Sequence, residues 1–435
     1  MGTFGRLFMP KRMPWWALAL LVAGVLTPPM GWAQTSADEA AMLPLAERPT
    51  LLGGPNSPEQ WLRDRGVGID ASWTGFGQAL TSPSSGDNSM QGGGKLNAKF
   101  NFDFSKLGLW QGFSASALYE QKWGHGANGF NGVLLPVNTQ MYEPKDRDSA
   151  VSLTFTQRFS DTVSLTAGKF NMVDAASATP IVGGGGINTF WNLNFAAPPS
   201  GIVPAYITGF SLSVKTEPAN YTLMVYDPKD SQNDSGLSGW GKNGINTRLA
   251  VQFPVKIGGL DGYQTIVGAF STQDTVDLAD LPQIVLPIPR GPSTRVDVKG
   301  NSWYLGYNFQ QYLWQNPATP TEGWGIFGQA FIADGNPNVY RWFTNLGVAG
   351  SSPIPGRSRD RFGIGYFRTS FSHDLTNSLK IITGATIDDE SGVEVFYNAA
   401  LTPWLRLGLD LQYIRPGVRG QGNATFAGMS MQVKF

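Results

Sequence analysis

Apolar and polar residues alternate one for one through much of this chain. At its end Ala427, Met429, Met431, Val433 and Phe435 fall on one face, and Gly428, Ser430, Gln432 and Lys434 on the other. A period of two is the signature of a strand whose side chains point alternately to opposite sides. The same dyad sets Leu96, Ala98, Phe100, Phe102 and Phe104 against Lys95, Asn97, Lys99, Asn101 and Asp103, and Val151, Leu153 and Phe155 against Ser152, Thr154 and Thr156. Near the end it sets Leu405, Leu407, Leu409 and Leu411 against Arg406, Gly408, Asp410 and Gln412. From Ile69 onward about sixteen such segments can be marked, each near the 9–11 residues a tilted strand needs to cross a bilayer.

A soluble sandwich would also alternate, so the connections decide between the two architectures. Short links (Ser160-Asp161, Glu217 to Asn220, Thr402-Pro403) fall in one register, and long ones (Trp123 to Asp148, Asn171 to Ile207, Gln273 to Gly300) in the other. Short turns at one rim and long loops at the other are the mark of a bacterial membrane barrel. The pattern therefore predicts an all-β fold, a transmembrane antiparallel β-barrel over 69–435, with both ends of the barrel on the periplasmic side. Two stretches fit less well. Strict alternation in Val163 to Phe170 aims Lys169 at lipid, which calls for a bulge, a strand end near the head groups or a shifted register, and Gly323 to Gly350 must turn on a short Asp334-Gly335-Asn336-Pro337 link.

Ahead of the strands, 34–68 is a polar lead with one helix signal. Ser57 can cap it, Pro58 suits its first turn, Gln60 holds the capping-box position and Gly66 ends it, which predicts a short periplasmic helix. Before that, Lys11 and Arg12 precede an apolar run from Trp15 to Leu26, then Pro28-Pro29 and a small-residue cleavage site at Gly31-Trp32-Ala33. The run is about 12 residues, short of the roughly 20 a membrane helix needs, so 1–33 is expected to be a cleavable signal peptide.

Composition narrows the chemistry. With no cysteine, thiol catalysis and thiolate metal sites are excluded. Lys+Arg and Asp+Glu both total 32, and no basic run is present, so no nucleic-acid partner is expected. The 41% of hydrophobic residues is modest for a membrane protein, yet it suits strands that face lipid on one side only. The two histidines, His125 and His373, stand far apart in predicted loops, which gives no triad or zinc cluster. No cofactor, metal or catalytic residue is expected, and an enzyme is not.

Several segments resemble the OprB family of carbohydrate-selective porins. The most specific is Glu394-Val395-Phe396-Tyr397, followed by Leu401-Thr402-Pro403-Trp404-Leu405, Asp410-Leu411-Gln412-Tyr413-Ile414 and Pro416-Gly417. Next are Ala333-Asp334-Gly335-Asn336-Pro337-Asn338, Ile354-Pro355-Gly356-Arg357 and Asp360-Arg361-Phe362-Gly363-Ile364-Gly365-Tyr366. Leu51-Leu52-Gly53-Gly54, Gly66-Val67-Gly68-Ile69 and Gly168-Lys169-Phe170 add weaker matches in the family's order. The resemblance implies a sixteen-stranded bacterial outer-membrane channel that passes sugars to the periplasm, with an inward-folded loop narrowing the pore. Two departures stand out: Gly53-Gly54-Pro55-Asn56 replaces the family's Asp-Trp-Gly-Gly-x-Arg opening, and Phe76 follows Trp73-Thr74-Gly75 where many members carry an acid.

A neutral sugar exchanges hydration for hydrogen bonds, so its pore needs many donors and acceptors without a field of one sign. The expected lumen face carries Lys95, Lys99, Lys122, Arg158, Arg248 and Arg406 against Asp103, Glu120, Glu394 and Asp410, with Asn97, Asn101, Gln252, Asn398 and Gln412 between them. Lys95, Lys99, Glu120 and Arg248 are the first candidates for solute contact; the blander reading makes all these charges cross-strand ion pairs in the wall. Trp191 and Phe195 are candidates to stack on sugar rings, in a loop whose Gly183 to Gly186 run lets the backbone bend inward. Trp123 and Trp240 read better as interfacial girdle residues. A general or hydrophobic-solute channel is the second reading, favoured if Phe76 and Trp73 line the pore, and an outer-membrane hydrolase or adhesin is the third. Expected partners are outer-membrane lipid, sugar solutes, the barrel-assembly machinery through Phe435, and two further copies in a homotrimer.

Overall fold

The computed structural model describes residues 43–83, 89–142, 148–286 and 297–435; the expected signal peptide lies outside them. Sixteen strands close an antiparallel barrel. They are β1 (Val67–Ser82), β2 (Gln91–Asp103), β3 (Phe113–Gly124), β4 (Asp148–Arg158), β5 (Val163–Asn171), β6 (Tyr206–Lys215), β7 (Asn220–Tyr226), β8 (Asn246–Ile257) and β9 (Leu260–Ser271). After a two-stranded hairpin, β10 (Thr275–Val276) with β11 (Val298–Lys299), come β12 (Ser302–Asn316), β13 (Thr319–Ala333), β14 (Tyr340–Ser351), β15 (Arg361–Phe371), β16 (Glu390–Ala400), β17 (Leu405–Arg415) and β18 (Ala424–Lys434). Each wall strand pairs with its neighbours in sequence, and β1 closes on β18 with Ser72 opposite Lys434. The amide of Phe435 donates to Ala71 O at 2.9 Å, so pairing continues to the last residue.

Alternation sorts the two faces. Leu153, Phe155, Leu305, Leu346, Ile364, Leu409, Leu411 and Met429 are exposed on the outside. Left in water, such a belt would be far larger than the apolar patches soluble monomers tolerate, whereas lipid tails cover it at no cost. The inward face is polar or small, with Thr74, Gln78, Asn345, Glu394, Asp410 and Gln432 all buried.

The turns 159–162, 258–259 and 317–318 mark one rim, and the connections 125–147, 172–205, 227–245 and 272–301 mark the other. At the short-turn rim sits α1 (Pro58–Asp64), with Ser57 Oγ accepting the Gln60 amide at 3.1 Å. Gln60's side chain turns to Asp64 at 2.7 Å. The lead is tied to the barrel mouth by Leu51 N to Lys434 O at 2.8 Å and by Trp404 Nε1 to Leu45 O at 2.7 Å.

Lys169 keeps strict alternation and shares the outer face with Leu153 and Ala167. It does not meet lipid, because Nζ donates to the carbonyls of Gln232 at 3.0 Å and Asp234 at 2.8 Å in the overlying loop 227–245. The same loop lays Trp240 edge-on to Phe210, 6.1 Å away. Trp123 shares its face with Tyr119 and Phe113, whose ring lies parallel to the outward Phe155.

Candidate pore and its constriction

The connection 172–205 folds into the barrel. It leaves β5 through α2 (Met172–Ala176), capped by Asn171 Oδ1, which accepts the Val173 and Asp174 amides at 3.0 Å each. Gly183, Gly185 and Gly186 then take φ of 59°, 87° and 74°, values that a side chain would strain, and the chain reverses there. It next runs through α3 (Leu193–Ala196) against the far wall. Three inward glycines of that wall make room: a Cβ on Gly428 would lie 2.4 Å from Trp191, one on Gly363 2.7 Å from Phe190, and one on Gly365 2.6 Å from Phe195.

Aromatic packing and two glutamates hold the loop down. Trp191 is edge-on to Phe76 of β1 at 5.3 Å, and Phe195 stacks on Phe190 at 4.4 Å and meets Phe367 of β15 at 5.8 Å. Glu394 accepts the amides of Trp191 and, at 3.1 Å, Asn192. Four residues earlier on β16, Glu390 accepts the amides of Leu134 at 2.6 Å and Leu135 at 3.1 Å, holding the preceding long connection at 134–135 in the same way. A carboxylate receiving two backbone donors is among the stronger non-covalent ties.

Two cavities open inside the barrel beside the infolded loop. The outer one, about 910 Å³, is lined by Arg248, Tyr304, Asn246, Asp230, Asn171 and the proline-rich stretch 198–204. The inner one, about 760 Å³, is lined by Asn97, Asp174, Asn188, Tyr312, Arg361 and Gln432. Lys95, Gln140 and Val173 line both, which makes them the neck. Cations and acids occur together in each cavity, so neither presents a ring of one sign.

The candidate residues separate by placement. Lys95 and Glu120 form an ion pair in the wall, only 5% and 2% exposed, and Glu120 also accepts from Asn171 Nδ2 and the Tyr206 hydroxyl. Lys95 Nζ donates to Gln140 Oε1 at 2.7 Å, and Gln140 in turn donates to Gly185 O, so this network ties β2 and β3 to both infolded loops. Lys99 pairs with Asp174 at 3.2 Å with both side chains 39% exposed to the lumen. Arg248 donates to the Tyr304 hydroxyl at 3.2 Å on the outer cavity wall.

Arg406 reaches Asn398 at 3.4 Å beneath the loops. Asp410 accepts from Gln412 at 2.8 Å, and Gln412 also accepts from Asn192 at 3.0 Å. Trp191 and Phe195, expected to stack on sugar, are 2% and 1% exposed, with wall aromatics against their rings. The sequence pattern passed over Gln140, Glu390, Gln310 and Arg361, the last two holding the Ile181 backbone at 2.7 Å and 2.9 Å. The visible signal was the pair Gly363 and Gly365, small residues repeated on a wet strand face.

Among known proteins, this chain is similar to the high-pH structure of OprB from Pseudomonas putida, with TM-score 0.77, 18% identity, and coverage of 90% of this chain and 99% of that one. The low-pH structure of the same protein matches with TM-score 0.53 and 14% identity over the same shares. These two likenesses speak for the fold. In sequence it is 27% identical over 141 residues to Porin B of Pseudomonas aeruginosa, a match covering 29% of this chain and 31% of that relative's length. The model of the family described as carbohydrate-selective porin, OprB family, matches residues 87–435, and the chain accordingly belongs to that family.

Proposed function

We propose that this chain is a bacterial outer-membrane porin through which mono- or small oligosaccharides diffuse passively into the periplasm. The observation that carries the reading is the pair of polar cavities that share Lys95, Gln140 and Val173 in their linings, with charges of both signs in each. Such a path supplies hydrogen-bond partners along its length while leaving small anions and cations only weakly distinguished. Lys99 and Arg248 are the candidates for solute contact, since their side chains reach the lumen. Lys95, Glu120, Glu394 and Asp410 serve as anchors for the loops, and Arg406 supports the wall near them.

The hydrophobic-channel reading asked Phe76 and Trp73 to line the pore. Phe76 is buried under Trp191, and Trp73 pairs with Leu96 and Val433 on the outer face, which favours a polar cargo. Secretion by a cleaved leader, recognition of Phe435 by the barrel-assembly machinery and assembly as a homotrimer complete the proposal. Liposome swelling tests it: rates should fall with sugar size from mono- to oligosaccharide and exceed those of apolar solutes of equal mass. Swelling indifferent to sugar size, or none, would refute it.

A further inference from the structure

Outside the pore, at the long-loop end of the wall, a row of residues crosses β14 to β17 on the lipid side. Thr344 stands opposite Arg368, Arg368 opposite Ser391, and Ser391 opposite Arg415. One rung closer to the membrane centre the same strands present Leu346, Tyr366, Val393 and Tyr413, and the next rung presents Val348, Ile364, Val395 and Leu411. Leu346, Tyr366, Tyr413, Ile364, Val395 and Leu411 are all exposed, so the arginines sit directly above the apolar belt, where tails give way to head groups.

The cluster is built rather than scattered. Arg368 and Arg415 share a cavity of about 600 Å³ with Arg341, Arg419 and His373. Two aspartates hold two of the arginines: Asp389 takes Arg368 at 2.8 Å, and Asp388 takes Arg419 through both oxygens at 2.6 Å and 2.9 Å. The Arg368 guanidinium also lies 5.4 Å from the Trp342 ring, which fixes its plane. Arg341 touches His373, Arg415 adds its charge near Asp388 without a hydrogen bond to it, and neither Arg341 nor Arg415 forms an ion pair among the described residues. Four arginines against two aspartates leave a surplus of positive charge on a lipid-facing surface. Guanidinium forks match phosphate oxygens in geometry as well as sign.

We infer that this outward cluster of Arg341, Arg368, Arg415 and Arg419 binds a phosphorylated lipid head group of the outer leaflet. The acyl chains would lie on the Tyr366, Tyr413 and Ile364 surface below, and the site takes no part in conduction. The test uses the whole protein in detergent micelles, with bisphosphorylated lipid A, its dephosphorylated form and inorganic phosphate as probes, read by native mass spectrometry. Lipid A should be retained and its dephosphorylated form should not. Joint R368Q and R415Q substitution should weaken retention by at least about tenfold, as expected for losing charge-assisted bonds, while K256Q at the opposite rim leaves it unchanged.

Single-channel conductance of the double variant should match the wild type, which reports a folded barrel. Should the double variant fail to assemble, R415Q alone serves, because that side chain makes no hydrogen bond among the described residues and its loss orphans no partner. Equal retention of both lipid forms, or of lipid A by wild type and variant, would overturn the inference. Displacement of lipid A by millimolar inorganic phosphate would overturn it too, making this a site for soluble anions.

Discussion

Lys95 on β2 and Gln140 on an infolded loop meet at 2.7 Å, Nζ donating to Oε1, at the point where the outer and inner cavities join. The contact belongs to the wall and to the pore at once. Gln140→Ala removes it together with the bond to Gly185 and leaves the Lys95–Glu120 pair one partner short. The expected result is a neck that opens, with higher single-channel conductance and swelling by larger sugars. Thermal unfolding should show a loss of about 1–3 kcal/mol, the usual cost of stranding a buried polar group.

Gly428 is the seat of Trp191. Gly428→Val puts a side chain where the indole lies, so the loop must shift or β18 must give, at an expected cost of about 1–3 kcal/mol for overpacking. The heat-induced mobility shift of the folded barrel should move to lower temperature. Gly422→Ala, near the outer rim of β18 and with only the Pro83 side chain at 4.0 Å, should behave as wild type.

Lys99 and Arg248 are two of the cations with access to the lumen. Lys99→Ala leaves Asp174 unpaired in the path, and Arg248→Ala removes a positive charge from the outer cavity. Reversal potentials in a salt gradient should move toward cation preference in both variants. The shift should shrink as ionic strength rises and the lumen charges are screened.

The outer loops carry a clasp sensitive to acid. Burial would raise the Asp277 carboxyl, but hydrogen bonds from Asn336 at 2.7 Å and Lys299 at 2.9 Å prevail and hold it below the ordinary carboxylate value of 3.8. Asn336 also donates to Asp374 at 2.6 Å, so the clasp joins three outer connections. A depressed carboxylate stabilises the fold fully above its ordinary value and loses that contribution as pH falls through the folded one. Protection against hydrogen exchange in 275–280, taken relative to the intrinsic rate at each pH, should be high at neutral pH and fall below about pH 4, and Asp277→Asn should show the low protection at neutral pH.

Strand alternation exposed most of the fold in the sequence because it is local: Leu407 and Leu409 declare the lipid face whatever lies across the barrel. Connection lengths gave the two rims, and Lys169 marked a real irregularity of environment, a strand end covered by its neighbouring loop. The site was less legible. An inward polar residue reads the same whether water or an infolded loop stands in front of it, and the Glu394 tie to Trp191 spans 203 residues. Trp191 and Phe195 therefore looked available to a ligand, although glycines at Gly363, Gly365 and Gly428 had been shaped to receive such rings.

On the proposed function, neutral sugars pass through the neck at Lys95, Gln140 and Val173. Single-channel current in planar bilayers tests it most directly, recorded while a neutral sugar is titrated into one side. A reversible, saturable fall in current that weakens in Gln140→Ala is expected. A current that merely follows solution viscosity, equally in wild type and variant, would contradict it.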